Sequence, residues 1–249
     1  MKKWRIISVL TAFISLVLIT IGFYLEFNPQ PVKKIKPKKI INTEEQEEIK
    51  EEIVPYDNPI PSFIETYNNS DIKAILEIPQ LNINSLVAQS IDNSFYLTNS
   101  LYKIQDNLGV PFIDYRTEDI NSAKQINIYG HNTENERFFD VLPFKKLESF
   151  LAQDNFNIIR DIYLSTDQKK IHYEIIGVKI INDGNNEHMR IKFKDNNDFK
   201  EHTNRLLTDT LYKVDNVEVK ETDKIIVLQV CNFNPKDTYL LVIGKELKA

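Results

Sequence analysis

Eight short apolar stretches constrain the fold of this chain: Ala74–Ile78, Leu86–Ala88, Val110–Tyr115, Ile126–Tyr129, Ile158–Leu164, Ile171–Ile181, Ile225–Val230 and Tyr239–Ile243. They are rich in Ile, Val, Tyr and Phe, and turn residues separate them. Side chains of this kind suit a pleated, half-buried surface, and short strands at such spacing build an all-β barrel or sandwich. Two segments break the cadence. Phe138–Leu151 has apolar residues at helical spacing, interrupted by Pro143, and Asn197–Leu211 sets Phe199, Leu206, Leu207 and Leu211 on one helical face. A short helix is also expected over Ser62–Tyr67, with Ser62 as its cap. No internal repeat is present.

The N-terminal quarter reads differently. Residues 6–24 form an apolar run without a charged side chain, long enough to cross a bilayer core. Lys2, Lys3 and Arg5 precede it and Glu26 follows, so residues 1–5 are expected in the cytoplasm and everything after residue 24 outside. The run is longer than a signal-peptide core and lacks a small-x-small cleavage site, which reads as a retained signal anchor; a cleaved signal peptide is the alternative. Residues 25–61 read as an extracellular linker, with lysines around Pro37, an acidic run from Glu44 to Glu52, and then Pro55, Pro59 and Pro61. The folded domain is expected over residues 62–249.

The chemistry converges on two strand ends. Ile225–Asn232 carries Cys231, the chain's single cysteine, and Gln125–Gly130 leads directly into His131. A thiol and an imidazole delivered by neighbouring strands are the parts of a nucleophile–base pair, although a lone cysteine in a strand is also a common inert core residue. One cysteine excludes an intramolecular disulfide framework. The four histidines and one cysteine show no metal-ligand spacing, so no metal or cofactor is expected. His172 is placed inside a strand, His188 in an Asn/Gly-rich loop, and His202 on a polar helix face. A net charge of −5 gives no reason to expect a nucleic-acid partner.

Phe112-Ile113-Asp114-Tyr115-Arg116, Ile128-Tyr129-Gly130-His131-Asn132, Phe139-Asp140-Val141-Leu142 and the strand ending at Cys231 follow one another in an order that resembles the class B sortases, membrane-anchored cysteine transpeptidases of Gram-positive bacteria. The likeness covers residue 62 to the C-terminus. It implies a closed eight-stranded β-barrel with a helix before it and another in the loop between its sixth and seventh strands. It further implies that Cys231 attacks the sorting signal near the C-terminus of a secreted protein to form a thioacyl enzyme. His131 then serves as acid and base, and the acyl group passes to an amine of cell-wall peptide or of a pilin subunit. Asn93, Leu97 and Met189 match family positions that touch the signal. Ordinary turn packing is an equal reading for Asn93 and Leu97. Asp114 and Arg116 read as a structural ion pair.

Two departures from the family pattern stand out. The small hydroxyl residues before the family cysteine are replaced here by Gln229 and Val230, and Gln229 is bulkier at a groove position. The family's arginine, an oxyanion donor early in the last strand, is replaced by Tyr239, and no arginine follows Arg205. Tyr239 offers one hydroxyl and no charge where arginine offers a charged fork. Lys236 or Arg190 are possible substitutes. The expected function is therefore a sortase-like transpeptidase. The alternatives are a degenerate sortase fold kept for binding signals or pilus components, and a cysteine peptidase using water as acceptor.

Overall fold

Alternation along Ile72–Ile78 (β1) buries Ile72, Ala74, Leu76 and Ile78 and leaves the residues between them half-exposed, the signature of a strand with one face on a core. The computed structural model describes residues 56–248, and in it nine strands follow in chain order. After β1 come β2 (Ile83–Ala88), β3 (Phe112–Ile113), β4 (Gln125–Gly130), β5 (Asp161–Ser165), β6 (Lys170–Asn182), β7 (Tyr212–Lys213), β8 (Ile225–Asn232) and β9 (Thr238–Glu246). Their order in the sheet is β5-β1-β2-β3-β4-β8-β9-β6, and β6 pairs again with β5. Eight strands thus close a barrel, and the two-residue β7 hangs on β6 outside the ring. Closure removes the exposed edges that an open sheet of this size would carry. Long β6 makes it possible. Its first residues, Lys170–Glu174, pair with β5, Tyr173–Asn182 run along β9, and its register shifts between Ile175 and Gly177.

The barrel interior is filled by Ala74, Leu76, Ile126, Ile128, Leu164, Ile175, Leu228, Val230 and Val242, among others. A second apolar layer lies outside it. Helix α3 (Asn196–Leu206) and the segment after it bring Phe199, Leu206, Leu207 and Val219 against Ile225, Val227, Leu241 and Ile243. Asp195 caps α3 by accepting the amide of Asp198 at 2.9 Å. With both faces covered, β8 must be apolar at successive positions, which is why it reads as an unbroken run.

Several boundaries differ from expectation. Helix α1 spans Ile60–Tyr67, and Ser62 is not its cap; the Ser62 hydroxyl donates back to Pro59 O at 2.8 Å. The Asn58 side chain, at the chain's entry to the helix, accepts the Ile60 amide instead. The segment with Pro143 forms two 3-10 turns, Glu136–Phe138 and Pro143–Leu151, followed by helix α2 (Gln153–Ile158). Ile158 therefore ends a helix and is 70% exposed, and β5 begins only at Asp161. Leu211 lies beyond α3 and is exposed, because the chain has already turned toward β7. His202 is fully buried, not on a polar face, its Nε2 lying 2.9 Å from Gln125 Oε1. Among the described residues no helix is long and apolar enough to cross a membrane. The span expected over residues 6–24, the cytoplasmic residues 1–5 and the linker up to residue 55 lie outside the described residues.

Candidate active site

The outer cover of β8 ends where the site begins. Ile225 and Val227 are sealed by the α3 layer, whereas Gln229 and Cys231, next on the same face, are only partly buried. β4 runs parallel to β8 with Tyr129 opposite Gln229 and Gly130 opposite Val230. His131 and Cys231 are the next residues along the two chains. The chain stays close there because Asn132 Nδ2 donates to Cys231 O at 2.8 Å. On the other side β9 places Tyr239 directly opposite Cys231. Two residues a hundred positions apart thus share one barrel mouth.

Gly130 is required by packing. A β-carbon there would lie 2.2 Å from Phe144 Cγ, so any side chain would expel that ring and drag His131 with it.

A cleft of about 230 Å³ runs along this face. Asn93, Leu97, Met189, Gln229, Tyr239 and Cys231 all line it, together with Phe112 and Tyr129. The structure therefore brings every residue expected to touch a signal into one groove with the thiol. A second recess of about 360 Å³ shares Cys231 and Tyr239 and is lined also by Glu134, Asp183, Phe233, Lys236 and Asp237 among others. The sulfur sits at the junction of the two.

One buried carboxylate organises the groove wall. Asp114 is fully buried; its Oδ1 accepts Arg116 Nε at 2.9 Å and its Oδ2 accepts Arg116 Nη2 at 2.6 Å. It also accepts the Tyr129 hydroxyl at 2.7 Å and Asn93 Nδ2 at 3.2 Å. Arg116 Nη2 reaches on to Met189 O at 2.7 Å, and Asn93 Oδ1 accepts the Tyr115 amide. Asn93, Tyr129 and Met189 are thus tied to one hub. The guanidinium and hydroxyl hydrogen bonds outweigh burial and hold the Asp114 carboxyl below the usual range. Asp114–Arg116 is the ion pair expected from sequence, but its reach to three groove residues was not.

The 188–189 turn adds a second support. His188 is buried, and its Nε2 lies 2.5 Å from Gln229 Oε1. Its carbonyl accepts Gln125 Nε2 at 2.7 Å and Asn127 Nδ2 at 3.1 Å. Burial pushes the His188 ring below its ordinary pKa. Its role escaped sequence reasoning because it comes from a polar loop, while its partners Gln125 and Asn127 are the outward positions of a strand read only for its apolar face.

No family profile matches the chain. Sortase B of Listeria monocytogenes serovar 1/2a is 26% identical over 165 residues, 66% of this chain and 64% of the relative. Sortase B of Staphylococcus aureus is 24% identical over 183 residues, 72% of each chain. Among solved structures, Clostridium perfringens sortase B is 25% identical with a TM-score of 0.68, covering 76% of this chain and 100% of that one. A Staphylococcus aureus sortase B–substrate complex has a TM-score of 0.66 at 21% identity, covering 78% and 88%.

The chain is similar to the class B sortases in both sequence and fold.

The departures from the class B sortase pattern can now be placed. Tyr239 stands opposite the cysteine, but its hydroxyl donates to Asp183 Oδ1 at 3.1 Å. Burial and the Asp183 carboxylate both push the pKa of the Cys231 thiol up. Arg190 does not substitute for the sortase arginine: its guanidinium is paired with Asp198 and stacked over Phe193. Lys236 does line the recess beside Cys231, and its Nζ lies 3.7 Å from Glu134 in an exposed pair. Gln229, the bulky replacement before the cysteine, is accommodated because His188 holds its side chain.

Proposed function

We propose that the chain is a sortase-type cysteine transpeptidase acting on a C-terminal sorting signal of secreted proteins. The observation that carries this reading is the parallel pairing of β4 and β8 up to Gly130 and Val230, which leads into His131 and Cys231 at one end, with Cys231 lining a groove alongside Asn93, Leu97 and Met189. Cys231 Sγ attacks the scissile carbonyl as His131 accepts the thiol proton; His131 then gives a proton to the leaving amine. The thioacyl enzyme that remains is opened by an amine of a cell-wall peptide or pilin subunit, with His131 taking the amine's proton. Tyr239, or Lys236 from the adjoining recess, serves as donor to the oxyanion in place of arginine. The domain works outside the cell, held by the apolar run at residues 6–24. The relative solved with a substrate supports peptide binding in such a fold.

Incubation with a panel of sorting-signal peptides and an amine acceptor tests this. Wild type is expected to give a thioacyl adduct and an aminolysis product that Cys231→Ala does not. If wild type and Cys231→Ala yield the same absence of both with every peptide, the enzyme reading fails.

A second reading is favoured by the upward push on the thiol's pKa and the commitment of Tyr239 to Asp183: a sortase fold that binds sorting signals or pilus components without turnover. Signal-peptide affinity that survives Cys231→Ala, with no product from wild type, identifies it.

A further inference from the structure

Lys145 is 1% exposed, which is rare for a lysine because stripping water from an ammonium is costly unless oxygen partners replace it. Here three do. Its Nζ donates to Thr133 O at 2.8 Å and to Glu148 Oε2 at 3.1 Å, and lies 3.1 Å from Glu136 Oε1. Glu148 uses its other oxygen to accept Asn132 Nδ2 at 2.7 Å. Asn132 is itself buried, and the same amide nitrogen donates to Cys231 O at 2.8 Å. Asn132 Oδ1 accepts the Thr133 amide. The two hydrogens of one amide group therefore link a partly buried ion pair to the backbone of Cys231.

The placement of this network gives it meaning. His131 has Gly130 on one side, pressed against Phe144, and Asn132 and Thr133 on the other. Phe144, Lys145 and Glu148 all come from the single 3-10 stretch Pro143–Leu151. That stretch grips the chain before and after the histidine, while the His131 ring makes no hydrogen bond among the described residues. With no hydrogen bond to fix the ring, its position depends on how its backbone is held.

We propose that Lys145, Glu148 and Asn132 form a charged clamp that positions His131 against Cys231. This rests on the His131–Cys231 reading above. The three are positioning residues, because none reaches the reacting atoms. The chemistry predicts a loss confined to the communication between imidazole and thiol, with groove shape left intact.

The test is a double-mutant cycle on thiol reactivity in the full chain. Alkylation of Cys231 by iodoacetamide is followed from about pH 5 to 9 for wild type, His131→Ala, Asn132→Ala and the double variant. Asn132→Ala is expected to alkylate about tenfold more slowly near neutral pH, and the double variant no more slowly than His131→Ala. Glu148→Gln, which keeps an oxygen for Asn132 but weakens the hold on Lys145, should show a smaller loss and provides a readout if Asn132→Ala folds poorly. Additive losses, or wild-type reactivity in both Asn132→Ala and Glu148→Gln, overturn the clamp while leaving a His131-dependent thiol. A His131→Ala variant that alkylates at the wild-type rate overturns the clamp together with the functional reading beneath it.

Discussion

The two walls of the groove are built to different standards. On the recognition side a buried carboxylate, Asp114, is saturated with partners and fixes Asn93, Tyr129 and, through Arg116, Met189. On the reaction side, Cys231 faces Tyr239, whose hydroxyl is committed to Asp183, and the nearby cation, Lys236, is in a pair whose members are 76% and 61% exposed. Exposed pairs of that kind hold little geometry. The shape that would receive a peptide is preformed, whereas the charge that would stabilise an oxyanion is not. If both walls serve one reaction, binding is the strong step and chemistry the weak one.

The sharpest way to break this contrast is to empty the hub. Asp114→Asn removes a buried charge whose partner Arg116 is 38% exposed, so the orphaned guanidinium can recover some hydration. A loss of about 2–3 kcal/mol is expected by denaturant unfolding, together with weaker peptide binding. The pH sign follows. The Asp114 pKa is depressed by folding, so its contribution is present above the unfolded value near 3.8 and disappears as pH falls through the lower folded value. The acid limb of wild-type stability should therefore flatten in Asp114→Asn; an unchanged limb assigns the acid sensitivity elsewhere.

Tyr239→Arg sharpens the contrast from the other side. Restoring a charged fork opposite Cys231 should raise turnover by about tenfold or more with little change in KM, given what a single oxyanion donor contributes. A drop in turnover would mean that the tyrosine hydroxyl already serves and the reaction wall is complete. The smallest effect is expected from Asp183→Asn. Removing this negative charge lowers the thiol's pKa, so alkylation near neutral pH should accelerate about three- to fivefold. The midpoint of the pH profile should move down; an upward shift would show that the hydrogen bond to Tyr239 matters more than the charge.

Most of the barrel was legible because each strand has a face on a core: alternation marks β1, and double coverage marks β8 as a continuous run. Cys231 and His131 were legible as residues at the ends of two strands. The hub was only half legible. Asp114 and Arg116 are two residues apart and suggest a pair, but their reach to Tyr129, Asn93 and Met189 depends on contacts between distant segments. The same holds for His188 and Lys145. A histidine in a polar loop and a lysine after Pro143 look solvated until the fold buries them. Ser62 misled for the opposite reason, since local capping preference was overridden by a chain entering the helix two residues earlier.

The parallel pairing of β4 with β8 has a consequence for biogenesis. Parallel neighbours need a long crossover, and here residues 131–224 all intervene, including β5, β6 and the α3 layer. The thiol therefore meets no imidazole while the polypeptide is still emerging or only partly collapsed, since nearly the whole sequence must be in place first. A chain caught midway therefore lacks the paired ends of β4 and β8, and residues 131 and 231 are brought to one end of the barrel only as the last strands dock.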